Sequence, residues 1–345
     1  MARGRTTLAE VAGAAGVSVA TVSKVLNERS DVSPETRRRV QQHLRDSSYR
    51  ATASEPRRRA QSSRLIEVVL PTLQNPYVMT VLAGITSTAR LEGFEVVLGP
   101  ELADDLADLD PAALVASGRA GAIFLTMDAS SKQLAVLGAD AFPVVVVDPL
   151  HVGDTRCITI GATNFTGGVT ATEHLLSLGH RRIAHAGGPE SNDGSQARLA
   201  GYSSALRQSG TPFDESLVTH CAFTYDAGRS AAPFLLDRDD RPTAIFAGSD
   251  EIALGIMEEA RRRAIRVPED LSMVGFDDTF VATRSAPPLT TVAQPLVKMG
   301  RVAVRSIAQL ISNDLVSTRH IELATHLVVR DSTAPLPDGA SPAHR

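Results

Sequence analysis

Two short helical patterns separated by one glycine lie near the start of the chain, in TLAEVAGAAGVSVATVSKVLN from Thr7 to Asn27. Apolar residues recur at helical spacing before Gly16 and again after it, up to Leu26. Gly16 allows a positive φ, and Ser18 can cap the N–H groups that open the second helix. Helices joined by so short a turn cross each other. The stretch therefore predicts a helix-turn-helix, the geometry that places a second helix in the DNA major groove.

A third helix is predicted from Ser33 to Ser47, with Ser33 as N-cap and Pro34 at the first helical position. It carries four arginines: Arg37, Arg38, Arg39 and Arg45. The alternative to a DNA-binding unit is a plain helical hairpin. The small and polar outer face of the second helix favours DNA binding, because it suits close approach to phosphates and base edges.

The charge distribution agrees with this interpretation. Residues 1–64 hold 13 Lys and Arg against 6 Asp and Glu, whereas the rest of the chain holds 22 against 33. A basic N-terminal segment followed by an acidic remainder is typical of a polyanion-binding module attached to another domain. The length of 345 residues, 43% of them hydrophobic, predicts two or three domains with substantial cores.

Nothing in the chain predicts secretion or membrane insertion. We expect a cytoplasmic protein, because no apolar run has membrane-spanning length and MARGRTTLAE lacks a secretory signal. Cys157 and Cys221 are the two cysteines, and a disulfide framework is not expected. The tail after residue 334 is rich in Pro, Gly and Ser and has no heptads.

After the third helix, residues 49–64 form a polar, basic stretch whose composition predicts a linker. From Leu65 onward, short apolar runs alternate with helical patterns, which indicates parallel sheets covered on both faces. Nine strand-like runs are too many for one small unit, so we expect two α/β lobes with a ligand between them. The runs are 65–71, 94–99, 121–126, 143–148, 157–161, 181–188, 219–223, 243–248 and 271–278.

Several motifs resemble the LacI/GalR family of bacterial transcription regulators. AEVAGAAGVSVATVSKVLNERSDVSPETRRRV resembles the family headpiece, and ATNFTGGVTATEHLLSLGHRRIAHAGGPE, RPTAIFAGSDEIALG and RVPEDLSMVGFDD resemble its effector domain. The resemblance implies an N-terminal all-α helix-turn-helix headpiece plus an α/β two-lobed, periplasmic-binding-protein-like effector domain. Three crossings would link the lobes.

The predicted boundaries follow from this resemblance. The headpiece takes 1–48, the hinge or linker 49–64, the effector domain 65–334 and a disordered tail 335–345. Within the effector domain, the N-lobe takes about 65–160 and 292–318, and the C-lobe about 161–291 and 319–334.

The resemblance also implies the DNA contacts. Val19, Ala20 and Lys24 occupy base-reading positions; the first two suit thymine methyl groups and Lys24 suits guanine O6 and N7. Phosphate contacts are expected from Thr7, Ser18 and Thr21, and Asn27 is a further expected DNA contact.

The linker departs from the family pattern. Pro56 and Arg58 stand where the family has a helix-favouring residue and a leucine that wedges into the minor groove. Whether this linker forms a helix on DNA is therefore open. Arg57 and Arg58 fit better as residues that follow phosphates or a narrow minor groove.

Effector contacts are expected where strands end. Asp277 ends a strand, Asp148 closes PVVVVD, and Arg198 aligns with the family's ligand-binding arginine. An arginine and carboxylates in one cleft suit the adjacent hydroxyls of a sugar, and the rings of Tyr77 and Phe223 suit its C–H face.

Two weaker candidates are Gln294 and Ser249, the latter standing where the family has asparagine. Asp250, which follows Ser249, is interpreted as the N-cap of the helix EIALGIMEEA.

No enzyme motif is present, and we predict no catalytic residue, cofactor or metal site. His174, His180 and His185 do not share one helical face, which argues against a metal cluster.

The pattern as a whole predicts a homodimeric repressor that binds double-stranded operator DNA and responds to a mono- or oligosaccharide, without membrane contact. Two alternatives remain open: a nucleobase or nucleoside corepressor, and a sugar-binding protein for transport. Purine-type family members have a cation where this chain has Asn192, which disfavours a purine. The transport alternative does not explain residues 1–47.

Overall fold

The computed structural model describes residues 8–26, 32–46, 63–101, 109–126, 133, 136–137, 142–150, 157–312 and 318–336. The chain divides into two compact units, Met1–Arg58 and Arg59–Arg345. Each unit has its own hydrophobic core.

The described part of the first unit contains three helices. They are α1 Leu8–Ala15, α2 Val19–Leu26 and α3 Pro34–Asp46. Their apolar faces meet in a small core of Val11, Ala12, Ala15, Val22, Val25 and Val40. The helical spacing of these residues, which predicted the three helices, turns their side chains inward.

The turn and the caps of this unit follow the sequence signals. Gly16 has a φ of +62°, the left-handed conformation that lets α1 end and the chain turn. Ser18 Oγ accepts a hydrogen bond from the Thr21 N–H at 3.1 Å, and Ser33 Oγ accepts one from the Thr36 N–H at 3.3 Å. Each cap satisfies an N–H group that has no partner within its helix.

The described part of the second unit contains two sheets of six strands. The first comprises β1 Leu65–Leu70, β2 Glu95–Glu101, β3 Gly121–Leu125, β4 Val144–Val147, β5 Ile158–Ala162 and β11 His320–Leu323. The second comprises β6 Ile183–Gly187, β7 Val218–His220, β8 Ala244–Ala247, β9 Ser272–Asp277, β10 Thr290–Ala293 and β12 His326–Val328.

The two sheets have matching orders, β2-β1-β3-β4-β5-β11 and β7-β6-β8-β9-β10-β12. Their strands are parallel except for β12, which runs antiparallel to β10. In both sheets the order reverses beside the first strand, which is the doubly wound arrangement that binds ligands at the carboxyl ends of its strands. The sequence predicted nine of these strands and missed the short strands β10, β11 and β12.

Eight helices are described in this unit: α4 Pro76–Leu91, α5 Pro111–Ala116, α6 Asn164–Ser177, α7 Asp193–Gln208, α8 Tyr225–Leu236, α9 Asp250–Arg262, α10 Phe280–Arg284 and α11 Leu296–Ile311. Helices α4 and α11 pack on the first sheet, whereas the pairs α6–α7 and α8–α9 pack in separate clusters with the second sheet. Burial of the second sheet on both faces explains why its strands read as continuous apolar runs.

Three helix pairs cross through reciprocal glycines. A Cβ at Gly84 of α4 would lie 2.2 Å from the Val297 carbonyl oxygen of α11, and a Cβ at Gly300 of α11 would lie 2.3 Å from the Val81 carbonyl oxygen of α4. The pairs α6–α7 and α8–α9 repeat this arrangement through Gly168 and Gly201 and through Gly228 and Gly255. No side chain fits at these positions, so glycine sets how closely the helices approach.

The chain crosses between the two sheets at Thr163, at Gln294–Pro295 and at Ala324–Thr325. The first and third crossings are bonded together, because Thr163 Oγ1 accepts a hydrogen bond from the Thr325 N–H at 3.0 Å. The lobes are therefore the two sheets with their helices, joined along one side.

Two predicted lobe boundaries are wrong. Residues 319–334 were assigned to the C-lobe, but β11 pairs in parallel with β5 in the first sheet. The return to the N-lobe was predicted from 292, but β10 belongs to the second sheet as far as Ala293. The return therefore begins after Ala293 and extends through Leu323. β11 was missed because it is a four-residue edge strand with exposed polar side chains.

The predicted tail begins with two residues that are described. The Leu336 N–H donates a hydrogen bond to the Leu178 carbonyl oxygen at 2.8 Å, so the chain is still packed there, contrary to a disordered tail from 335. Residues 337–345 lie outside the described part. Among the described helices, none is long and apolar enough to cross a membrane.

We expect Gly84→Ala to destabilise the second unit by about 1–3 kcal/mol, because its Cβ would force α4 and α11 apart. The measurement is the free energy of unfolding from urea denaturation. Gly161→Ala in β5 is the control, since a Cβ there meets no atom within 4 Å. Equal losses in the two variants would contradict a role for close helix approach.

Candidate functional site

A cavity of about 280 Å³, here called the central cavity, lies where strands of both sheets end. Pro71, Thr126 and Asp148 line it just after β1, β3 and β4 of the first sheet, and Ser249 and Asp277 line it from the ends of β8 and β9 of the second. It therefore lies between the lobes at the carboxyl ends of their strands, where open α/β sheets bind ligands.

Six of the seven residues predicted to contact the effector line this cavity: Tyr77, Asp148, Arg198, Phe223, Ser249 and Asp277. Gln294 lies behind Asp277 instead, and its Nε2 donates a hydrogen bond to Asp277 Oδ1 at 2.7 Å. Eight further polar residues that line the cavity were not predicted as effector contacts: Thr72, Asn75, Thr126, Asn192, Thr224, Asp250, Glu251 and Thr279. Thr126 directly follows β3, so the rule that found Asp148 after β4 could have found it too.

Arg198 is the only cation among the described residues that line the central cavity. Arg198 lies within α7 and is only 4% exposed. Its Nε donates to Asn164 Oδ1 at 2.9 Å, and its Nη1 donates to the Gly248 carbonyl oxygen. Its guanidinium carbon lies 3.9 Å from the centroid of the Phe276 ring. These contacts fix the guanidinium plane.

Two carboxyl groups lie near this guanidinium. Burial raises the pKa of Asp277 well above its usual range, and the charge of Arg198 partly offsets that rise. Burial also raises the pKa of Asp148, again against the lowering effect of Arg198. None of the ion pairs among the described residues joins Arg198 to either carboxylate, although all three side chains line the central cavity.

Asp148 is also bonded to an aromatic residue across the cavity wall. The Tyr77 hydroxyl donates to Asp148 Oδ2 at 3.0 Å. Burial, followed by the nearby Asp148 charge, raises the pKa of Tyr77 well above its usual value, so the phenol stays protonated as a donor.

Three residues on the cavity wall have left-handed backbone conformations. Thr126, Asp148 and Asp277 have φ values of 50°, 51° and 113°. Non-glycine residues rarely adopt positive φ, and such strain concentrates where a side chain must be held in a particular direction. All three stand at strand ends, where the backbone turns the side chain toward the cleft.

The ring of Phe223 lies over the end of β6. A Cβ at Gly188 would lie 2.0 Å from the Phe223 Cζ, so only glycine leaves room for the ring. The Phe223 centroid is 5.5 Å from the Arg198 guanidinium carbon. The cavity thus combines an aromatic face, one buried cation and carboxylates, a set that suits a ring bearing hydroxyl groups.

The interpretation of Asp250 as a helix cap is wrong. The cap of α9 is Ser249, whose Oγ accepts from the Ile252 N–H at 3.2 Å. Asp250 is fully buried at the first helical position, where Oδ1 accepts from the Thr291 hydroxyl at 2.6 Å and Oδ2 from the Thr279 N–H at 2.8 Å. It therefore fixes the loop after Asp277 rather than the start of the helix.

The headpiece presents some of its predicted DNA contacts on the surface. Val19 is 46% exposed, although it is apolar, and Lys24 of α2 is also exposed. Ser18 Oγ is 2.9 Å from Thr21 Oγ1, which places these two hydroxyls side by side at the start of α2. Thr7, Asn27, Arg57, Arg58 and the side chain of Ala20 lie outside the described part.

Comparison with known proteins agrees with both units. Residues 7–51 match the family described as bacterial regulatory proteins, lacI family, and residues 172–333 match a periplasmic binding protein-like domain. The transcriptional regulator DegA of Bacillus subtilis strain 168 is 34% identical over 339 residues, with 96% of this chain and 99% of DegA covered.

Two solved structures extend the comparison. The complex of the transcriptional regulator CelR with cellobiose has a TM-score of 0.71 and 33% identity, with 95% of this chain and 100% of that chain covered. The lac repressor dimer bound to operator and the anti-inducer ONPF has a TM-score of 0.71 and 28% identity, with 96% and 100% covered.

A helix-turn-helix headpiece followed by a two-lobed α/β domain with a central cavity defines a DNA-binding transcriptional regulator. The chain belongs to the lacI family of bacterial regulatory proteins. Its relatives are transcriptional regulators and not enzymes, in agreement with the prediction.

The buried carboxyl groups give the protein a pH dependence. Burial raises the pKa of Asp250 to about 7 and that of Asp277 well above its usual value. A carboxyl with a raised pKa in the folded state stabilises folding below its unfolded pKa, and that stabilisation is lost as pH rises through the folded pKa. We therefore expect the contribution of these two carboxyl groups to the melting temperature to fall as the pH rises from about 4 to about 7.

Two variants test whether titration of the buried carboxyl groups causes this change in melting temperature. Asp277→Asn should reduce the fall in melting temperature, because it removes a titrating group. Asp270→Asn should leave the fall unchanged, because its bond to Arg266 holds the pKa of Asp270 at about 2, below this range. Buried histidines such as His185 oppose this fall up to their ordinary pKa of about 6.5, so the measurement is the difference in melting temperature between each variant and the wild type. A difference in melting temperature between Asp277→Asn and the wild type that stays constant over this pH range would contradict the assignment.

Proposed function

We propose that the chain is a homodimeric repressor whose affinity for operator DNA is controlled by a small neutral sugar in the central cavity. A protein that acts on chromosomal DNA works in the cytoplasm. Two headpieces bind the half-sites of a pseudo-palindromic operator, about one helical turn apart. The sugar changes the angle between the lobes and so the spacing of the two headpieces.

The observation that carries this proposal is the position of Arg198. A buried guanidinium with no ion-pair partner among the described residues is costly unless a ligand supplies acceptors. Its Nε and Nη1 are engaged by Asn164 and Gly248, and the ring of Phe276 covers one face. A sugar hydroxyl accepts from the remaining donors while a neighbouring hydroxyl donates to Asp277.

The remaining wall fits the same ligand. Asp148, which lies on the first lobe, accepts a hydrogen bond from a second hydroxyl group of the sugar. The ring of Phe223 covers the C–H face of the sugar. Gln294 holds Asp277 in place from the crossing between the lobes. The cellobiose complex of CelR supports a saccharide as the effector class of this chain.

The effector class is tested by thermal-shift screening of the full-length protein against monosaccharides, disaccharides and nucleobases. Ligand that binds only the folded state raises the melting temperature. We expect stabilisation by a sugar. Stabilisation by nucleobases alone would support the corepressor alternative instead.

Removal of Asp277 should separate effector response from DNA binding. Asp277→Ala leaves the effector hydroxyl without its acceptor, which costs about 1–3 kcal/mol of effector binding. Operator affinity without effector should stay unchanged, while the effector concentration needed for the response rises. The measurement is operator binding by fluorescence anisotropy over an effector titration.

The control for this variant is Asp239→Ala, which removes an exposed carboxylate that does not line the cavity. Asp239→Ala should respond as the wild type does. If Asp277→Ala lowers the melting temperature and weakens operator binding without effector, Asp277 braces the lobe instead of binding ligand.

Base reading by α2 is tested with Lys24→Ala. If Lys24 donates to a guanine, its loss costs about 1–3 kcal/mol on the operator and relaxes preference at one base pair. Affinity is measured on an operator selected from a random DNA library and on variants of each base pair. Equal weakening on random DNA would show that Lys24 contacts only phosphate.

A further inference from the structure

A second cavity, of about 500 Å³, lies between the lobes beside the central cavity. We call it the side groove and define it by six of its lining residues: Asp148, Asn164, Phe165, Asp193, His320 and Glu322. Of these, only Asp148 also lines the central cavity. The volume lies within the range of about 300–1,000 Å³ that is typical of small-molecule sites.

Both lobes contribute to the side groove. His320 and Glu322 lie on β11 of the first sheet, whereas Asn164 and Phe165 begin α6 and Asp193 begins α7, which pack on the second sheet. A molecule in the groove therefore contacts both lobes at once. Its binding depends on the angle between them.

Donors for such a molecule come from the start of α6. Thr163 occupies the N-cap position but makes no side-chain cap, because its hydroxyl accepts from the Thr325 N–H at 3.0 Å in the neighbouring crossing. The first N–H groups of a helix have no partners within it. Asn164, Phe165 and Thr166 all line the groove, and no side-chain cap accepts a hydrogen bond from their N–H groups.

Acceptors and an apolar face complete the groove. Glu322 and Asp193 place carboxylates on opposite lobes, and the ring of Phe165 is 48% exposed although it is large and apolar. The described lining contains no lysine or arginine, so the carboxylates would repel an anion. Donors, acceptors and an exposed ring together suit the hydroxyl groups and C–H face of a neutral saccharide.

We propose that the side groove is a second binding site, for a neutral saccharide, distinct from the central cavity. This goes beyond the proposed function, which places one effector in the central cavity, and rests on it only for the regulatory meaning of lobe closure.

The two sites are coupled through the segment that separates them. Asp148 lines both cavities, and two residues later the Leu150 carbonyl oxygen accepts from the Asp193 N–H at 2.9 Å, which joins the lobes. A ligand in either cavity contacts this segment. Occupation of one site therefore changes the affinity of the other.

The experiment is isothermal titration of the full-length protein with glucose, ribose and cellobiose as separate probes. We expect two sites per chain for at least one probe. Phe165→Ala and Glu322→Gln should each weaken one site about tenfold. Asp277→Ala should weaken the other site and serves as the matched central-cavity variant.

Phe165→Leu is the second variant in case Phe165→Ala disturbs folding, because it keeps an apolar side chain and removes only the flat ring. It should weaken the same site with an unchanged melting curve. One site per chain, weakened by Asp277→Ala and unaffected by Phe165→Ala and Glu322→Gln, would overturn the second site and leave the proposed function intact. One site weakened only by the groove variants would support the groove and overturn the central cavity as the effector site. No binding of any probe would contradict the saccharide class at both sites.

Discussion

The burial of one guanidinium group organises the effector domain. Arg198 is held by Asn164 at the start of α6, by the carbonyl group of Gly248 after β8, and by the ring of Phe276 in β9. Its own backbone carbonyl lies 2.3 Å from where a Cβ of Gly168 would stand, so the crossing of α6 and α7 and the placement of the cation depend on the same glycine. A buried cation needs acceptors or π faces around it. The lobe supplies these on every side except the one that faces the cavity.

Much of the fold follows from local patterns in the sequence, and the parts that do not are instructive. The helices of the headpiece and nine of the twelve strands carry their own periodicity and caps, so they could be predicted without tertiary information. By contrast, β11 and β12 are edge strands of four and three residues, and their membership in different sheets depends on partners far away in the chain. Short edge strands have half of their surface exposed and thus lack a strong apolar signal.

The site shows the same division. Asp148 and Asp277 could be predicted because carboxyl ends of parallel strands meet at one edge. Asp250 could not be assigned correctly, because a carboxylate at the start of a helix has the same local sequence whether it caps the helix or accepts from elsewhere. Its partners Thr279 and Thr291 follow 29 and 41 residues later. Likewise, the position of Gln294 behind Asp277 depends on where the chain crosses between the lobes.

The bond between Thr163 and Thr325 has a mechanical consequence. It makes two of the three crossings act as one, so the chain itself connects the lobes at two places, this pair and Gln294–Pro295. A body attached to another at two places turns freely only about the line that joins them, as a door does on its hinges. Twisting and sliding of the lobes are resisted, and their arrangement reduces to a single angle. Ligands of different shapes then produce the same kind of movement and differ only in its extent.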